Sequence, residues 1–114
     1  MKTGPETRVI IMGGVDCPPE LEAKFNKWYD EVHIPILLRT GEIERVTRYK
    51  RVGDDENYPN HLIVYELKDQ QAYERYENSP EKAEAVAEMK QTWSSGGARR
   101  RWRVLYEVIA TSKK

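Results

Sequence analysis

Short apolar runs alternate with longer amphipathic stretches along this 114-residue chain, and the alternation predicts strand, helix, strand, strand, helix, strand. Residues 8–12 are rich in branched aliphatics and stop at Gly13-Gly14, the pattern of a short strand closed by a turn. Leu21, Phe25, Trp28, Tyr29, Val32 and Ile36 then recur at the three-or-four spacing of a helix that packs one face on a core. That helix is expected to start near Pro19, because proline is tolerated in a first turn and Glu20 and Glu22 suit the positive end of the helix dipole. Pro35 lacks a backbone donor and biases Ile34 away from helical geometry. The helix is therefore expected to end or kink at His33, which leaves an imidazole at a helix C-terminus.

After Gly41, residues 43–52 read as a second strand, and residues 53–60 are too polar and too rich in turn formers to be anything but a loop. His61–Leu67 makes the third strand. A second helical region over residues 69–93 should break where Asn78-Ser79 meets Pro80, since serine can cap and proline can open a new first turn. Ser94-Ser95-Gly96-Gly97 ends it, and residues 102–110 form the last strand. Residues 1–6 and 112–114 are expected to fray, leaving one domain over residues 1–114 with an ordered core of about 8–110.

The βαββαβ order resembles the ferredoxin-like split fold of the α+β class, in which helices cover one face of an antiparallel sheet. The strands are apolar on both faces. Val9 and Ile11 alternate with Ile10 and Met12, and Trp102, Val104, Tyr106 and Val108 alternate with Leu105 and Ile109. A solvated second face would be more polar, so two sheets are expected to pack face to face in a homodimer that encloses a cleft or barrel.

Composition narrows the partners. Lys plus Arg total 19 and Asp plus Glu total 19, so no overall field draws the chain to nucleic acid or to an anionic membrane. The apolar runs are too short for a signal peptide or a spanning helix, and a soluble, cytoplasmic protein is expected. The single cysteine, Cys17, rules out an internal disulfide and leaves zinc short of thiolates.

The phrase Trp28-Tyr29-Asp30-Glu31-Val32-His33-Ile34-Pro35-Ile36-Leu37-Leu38, followed by Gly41, Arg48-Tyr49 and Tyr65-Glu66-Leu67, resembles the EthD-like branch of the dimeric α+β barrel superfamily. The resemblance spans roughly residues 8–109 and implies a homodimer whose sheets form a central barrel, with a pocket between sheet and helices in each protomer. It also implies a range of chemistries: cofactor-independent polyketide cyclases and quinone-forming monooxygenases, muconolactone isomerases, and haem-handling branches. Many relatives of this kind have no known activity, and a shared fold does not supply a reaction. In the resembling family the histidine of this motif lies by the pocket, and His33 is the position that matches.

His33 is the leading catalytic candidate, since an imidazole can take or give a proton near neutrality. A helix end favours its charged form and burial its neutral form, so the sequence leaves the direction open. Alternatively its ring caps a helix carbonyl or bonds a neighbouring loop. Tyr29, four residues earlier, can share its face and orient a substrate carbonyl or relay a proton. Trp28, Tyr49, Tyr65, Trp93 and Tyr106 offer large flat surfaces suited to a hydrophobic or aromatic small molecule, and equally suited to a dimer core.

Arg45 and Arg48 could fork onto a carboxylate or enolate, or be held in salt bridges by Glu66 or Glu107. The run Arg99-Arg100-Arg101-Trp102-Arg103 could in isolation hold phosphates or nucleic acid, with Trp102 stacking on a base, but it lacks a phosphate-cradling motif and reads as a solvated loop and strand entry. An RNA-binding role is disfavoured because the first and third strands lack the paired aromatics of RNA-recognition domains. The function expected is a small isomerase, cyclase or monooxygenase that needs no cofactor or metal, with His33 as general acid and base. The alternatives are a non-catalytic small-molecule-binding or structural homodimer, and a haem protein in which His33 ligates iron.

Overall fold

A computed structural model describes residues 7–114; the expectation of a frayed tail over residues 1–6 lies outside the described residues. Four strands, β1 (Val9–Asp16), β2 (Ile43–Lys50), β3 (His61–Leu67) and β4 (Arg99–Glu107), form one antiparallel sheet in the order β2-β3-β1-β4. The helices α1 (Glu22–Trp28), α2 (Ile34–Leu38), α3 (Gln70–Glu77) and α4 (Pro80–Thr92) complete the ferredoxin-like α+β fold.

Four strand boundaries depart from the sequence reading by more than one residue: β2 stops at Lys50 and β4 at Glu107, short of the expected 52 and 110, and β1 differs at its end and β4 also at its start. β1 continues through Gly13-Gly14 to Asp16 instead of stopping there. At Gly14 an added Cβ would lie 2.7 Å from Cε2 of Trp102 and 2.9 Å from Cγ of Pro59. The glycine thus serves close packing of a neighbouring ring inside the sheet, not a turn. β4 begins at Arg99, three residues earlier than expected, because the β1 pairing shifts register between Gly14 and Val15: Gly14 faces Trp102, but Val15 faces Arg100. Arg101 is the extra residue of this bulge. It pairs with Asp16 at 3.5 Å and donates to the backbone carbonyls of Glu56 and Asn57.

The first helical region also differs. It does not end at His33: α1 leads into a π-helical turn, Tyr29–His33, and then directly into α2. The Ile34 N–H donates to the Tyr29 carbonyl, five residues back. In an α-helix the ring of Pro35 would collide with the Glu31 carbonyl and leave it without a donor; one wide turn relieves the clash without stopping the helix. The extra residue moves the buried stripe on by one. Phe25, Trp28 and Tyr29 are buried as the spacing predicts, but His33 and Leu37 take the inner positions expected for Val32 and Ile36, and Val32 is 36% exposed.

The later helices follow their caps. Asp69 accepts the Ala72 N–H at 2.8 Å to start α3, and Ser79 accepts the Lys82 N–H at 3.1 Å to start α4, with Pro80 in the first turn. Val9, Ile11, Ile63 and Leu67 on one sheet face meet Phe25, Leu37, Ala72 and Ala85 from the helices. On the other face Ile10, Met12, Leu62 and Val64 are half-buried, and Tyr49, Trp102, Val104 and Tyr106 are exposed.

Candidate functional site

Between the sheet and the helices lies a cavity of about 420 Å³. Gly13, Ile63 and Tyr65 supply its sheet wall, and the winding of the first helical region supplies Phe25, Trp28, Tyr29, His33 and Leu37. Val86, Met89 and Trp93 close a third side, while Tyr76, Lys82, Lys90, Arg100 and Arg103 add polar groups. Gly13 matters here for a reason opposite to Gly14: a Cβ built on it meets nothing within 4 Å, so it leaves the cavity open.

His33 is 7% exposed, and its Nδ1 is buried without a hydrogen-bond partner among the described residues. Its ring stacks on Trp28, centroids 4.6 Å apart at 24°, and meets the Tyr29 ring edge-on at 5.0 Å. Trp28 is fixed in turn because its Nε1 donates to Glu88 at 2.8 Å. Burial lowers the His33 pKa to about 4; the Glu88 carboxylate opposes that shift and the Lys82 ammonium adds to it. The imidazole is therefore neutral near pH 7, with a lone pair free to accept a proton. The alternative that its ring caps a helix carbonyl does not hold, since the helix runs on past it.

The hydroxyls of Tyr29 and Tyr65 lie 3.2 Å apart across the cavity wall. Burial raises both pKa values, and each phenol keeps its proton. One of the two protons bridges the pair, which leaves the other for a ligand oxygen.

The remaining sequence candidates divide by sheet face. Trp28, Tyr65 and Trp93 line this cavity with His33 and Tyr29. Tyr49 and Tyr106 lie on the opposite face, 51% and 50% exposed, and do not reach it. Arg48 lines a separate cleft; it pairs with Asp30 at 2.7 Å, hydrogen-bonds Asn26, and lies over the Tyr29 ring at 5.2 Å. Its guanidinium is committed to holding α1 on β2. Arg45 sits 3.8 Å from Glu66, the salt bridge foreseen for it.

Lys82 and Tyr76 carry no signal in the sequence, and Arg100 and Arg103, read there as part of a solvated basic run, line the cavity instead. Strict alternation from Leu105 would turn Arg103 and Arg101 inward; the bulge keeps Arg103 in and exchanges Arg101 for Arg100. Arg103 and Lys82 both bond the Glu77 carboxylate, Lys82 at 3.1 Å. Cys17 is buried away from this cavity; its N–H and carbonyl are clamped by the Asn60 side chain at 2.9 and 2.7 Å, and burial raises its thiol pKa. Among the described residues no group of three or more His, Cys, Asp and Glu could hold a metal ion, and no helix is long and apolar enough to cross a membrane.

Neutral burial of His33 has a consequence for stability. The unfolded chain takes up a proton on this residue below about pH 6.5, whereas the folded chain resists until about pH 4. Stability attributable to His33 is therefore intact above pH 6.5 and declines as pH falls through that window, by roughly 2 kcal/mol at pH 4.5. Urea melts of the parent and of His33→Phe at pH 7.5 and 4.5 check this: the variant should lose less stability on acidification, and an equal loss would rule the effect out.

The fold is shared with solved structures of diverse proteins. An EthD family protein from Bacillus halodurans aligns with a TM-score of 0.65 at 12% identity, covering 90% of this chain and 99% of that one. SnoaB, a cofactor-independent oxygenase from Streptomyces nogalater, aligns at 0.65 and 14% identity over 97% and 100%. MhuD, solved with two manganese protoporphyrin IX per active site, aligns at 0.68 and 12% identity over 93% and 99%. No curated protein matches the sequence. These likenesses show the ferredoxin-like α+β fold expected from the order of elements. Residues 9–101 match the family described as "Domain of unknown function (DUF4286)", and the chain belongs to that family.

Proposed function

We propose that the protein is a small enzyme of the isomerase, cyclase or cofactor-independent monooxygenase type, acting on a lactone, polyketide or aromatic carbonyl compound. The observation that carries this reading is the neutral, unpartnered Nδ1 of His33 beside a cavity walled by aromatic rings. His33 takes a proton from the carbon next to the substrate carbonyl. The C–H electron pair moves into the carbonyl, giving an enolate whose oxygen accepts the free proton donor of the Tyr29–Tyr65 pair as a hydrogen bond. Return of the proton at another carbon completes an isomerisation; attack of the enolate on a second carbonyl or on molecular oxygen gives the cyclase or oxygenase outcome. SnoaB, with the same fold, is an oxygenase described as needing no cofactor.

The test is exchange in heavy water. 2-Tetralone and an unsaturated five-membered lactone should gain deuterium next to the carbonyl in the presence of the protein and not with His33→Ala. Ligand binding without exchange or turnover would replace this reading by a non-catalytic binding protein. Haem is the competing occupant: His33 would hold its iron and Arg100 and Arg103 its carboxylates, and the group would supply redox chemistry when bound. A Soret band on adding haemin that is lost in His33→Ala would favour it.

A homodimer built on the open sheet face is part of the same proposal. Trp102 and Val104, 39% and 36% exposed, lie on the edge strand β4 of that face, beside half-buried Ile10 and Met12 of β1, with half-buried Leu62 and Val64 one strand farther in. A second copy of the same sheet matches this surface by symmetry. Val104→Asp should shift the sedimentation coefficient from dimer to monomer; a monomeric parent would dispose of the dimer.

A further inference from the structure

The charges around the cavity are not balanced. Lys82 and Arg103 share one carboxylate, Glu77, and Glu88 is taken up by two neutral donors, the Trp28 indole and the Thr92 hydroxyl. Arg100 and Lys90 also line the cavity, and neither has an acidic partner among the described residues. Four cations thus stand against two carboxylates. Arg100 and Arg103 occupy neighbouring rungs of β4 on the same sheet face, opposite Val15 and Gly13, and their charges act on the Tyr29 hydroxyl. The bulge at Gly14/Val15 is what puts Arg100, in place of the Asp16-paired Arg101, on that face.

Resting on the reading of this cavity as the small-molecule site, we infer that its ligand is a carboxylate: a flat aromatic or conjugated skeleton between Trp28 and Trp93, with its anionic group held by Arg100 and steadied by Arg103. An aromatic ring alone would need none of these cations, and a free guanidinium fork matches a carboxylate with two parallel hydrogen bonds. The anion also opposes the effect of Lys82 on His33, so the bound ligand makes its own base stronger.

Binding is read from the quenching of tryptophan fluorescence by 2-naphthoate and by its uncharged methyl ester. Both should bind, the acid about tenfold tighter or more, since hydrogen bonds to a charged group exceed neutral ones by that order. Arg100→Gln should weaken the acid about tenfold, leave the ester unchanged and reduce the salt dependence of acid binding, and Arg100→Lys should restore part of it. Arg100 is exposed at the rim, so these variants keep the fold. Equal affinities for acid and ester, or an acid affinity indifferent to Arg100→Gln, would overturn the inference while leaving the cavity as a binding site. Failure of both probes to bind would overturn it together with the reading beneath it.

Discussion

His33→Ala should lower kcat for exchange or turnover by about 10²–10⁴, the usual contribution of a positioned general base, while changing ligand affinity by less than about threefold. The split follows from geometry. The ligand is gripped by the rings of Trp28, Tyr65 and Trp93 and by the cations on β4, none of which the substitution removes. What it removes is the imidazole that lines this cavity among the described residues, with its unpartnered Nδ1. A methyl group in its place leaves the Trp28 indole still tethered to Glu88. In the parent the rate should be level from pH 8 down to about pH 5 and fall as the imidazole becomes protonated near pH 4. A variant that loses affinity and rate together would make His33 a wall of the cavity and not its base.

Pro35→Ala should lower the rate by about 10- to 100-fold without touching a cavity residue. With an N–H restored at position 35 and no ring pressing on the Glu31 carbonyl, the wide turn can close to an ordinary α-helical one. Removing one residue from the winding rotates the following segment by about 100°. Val32 and Ile36 then lie where His33 and Leu37 are buried, and both are apolar enough to stay there. The imidazole moves toward solvent and leaves the face of Trp28. NMR titration reports this directly: the His33 pKa should rise from about 4 toward 6.5. If it stays low and the rate is unchanged, the π-helical turn is held by packing and Pro35 is dispensable.

That winding also marks the limit of what could be read from residue spacing. A periodicity of 3.6 assigns the inner face correctly as far as Tyr29 and then fails by one residue, because nothing local distinguishes a proline that ends a helix from one that widens it. The choice is made by Leu37, which is 1% exposed and gains more from the core than the helix loses in one strained turn. Gly13-Gly14 misled for a related reason. Paired glycines signal a turn unless a ring from a distant strand needs the space, and Trp102 lies far away in sequence. The candidate site was legible where it depends on side-chain type: His33, Tyr29, Trp28, Tyr65 and Trp93 share one cavity. It was not legible on β4, where a bulge formed by tertiary pairing decides which arginines face inward. Arg48 is held in an ion pair, but its partners, Asp30 and Asn26, come from the first helical region and not from Glu66 or Glu107 on the strands, a pairing that tertiary packing decides.

The loop between β2 and β3 is tied down on both sides. Arg51 donates to the carbonyls of Gly53 and Tyr58, and Asn60 clamps the backbone of Cys17. Arg101 holds the carbonyls of Glu56 and Asn57. Between these ties the chain at Asp54-Asp55 is exposed and outside the cavity lining. A spliced-in affinity peptide or a fluorophore attached there would tether the protein to a bead or a sensor surface with its ligand cavity left free.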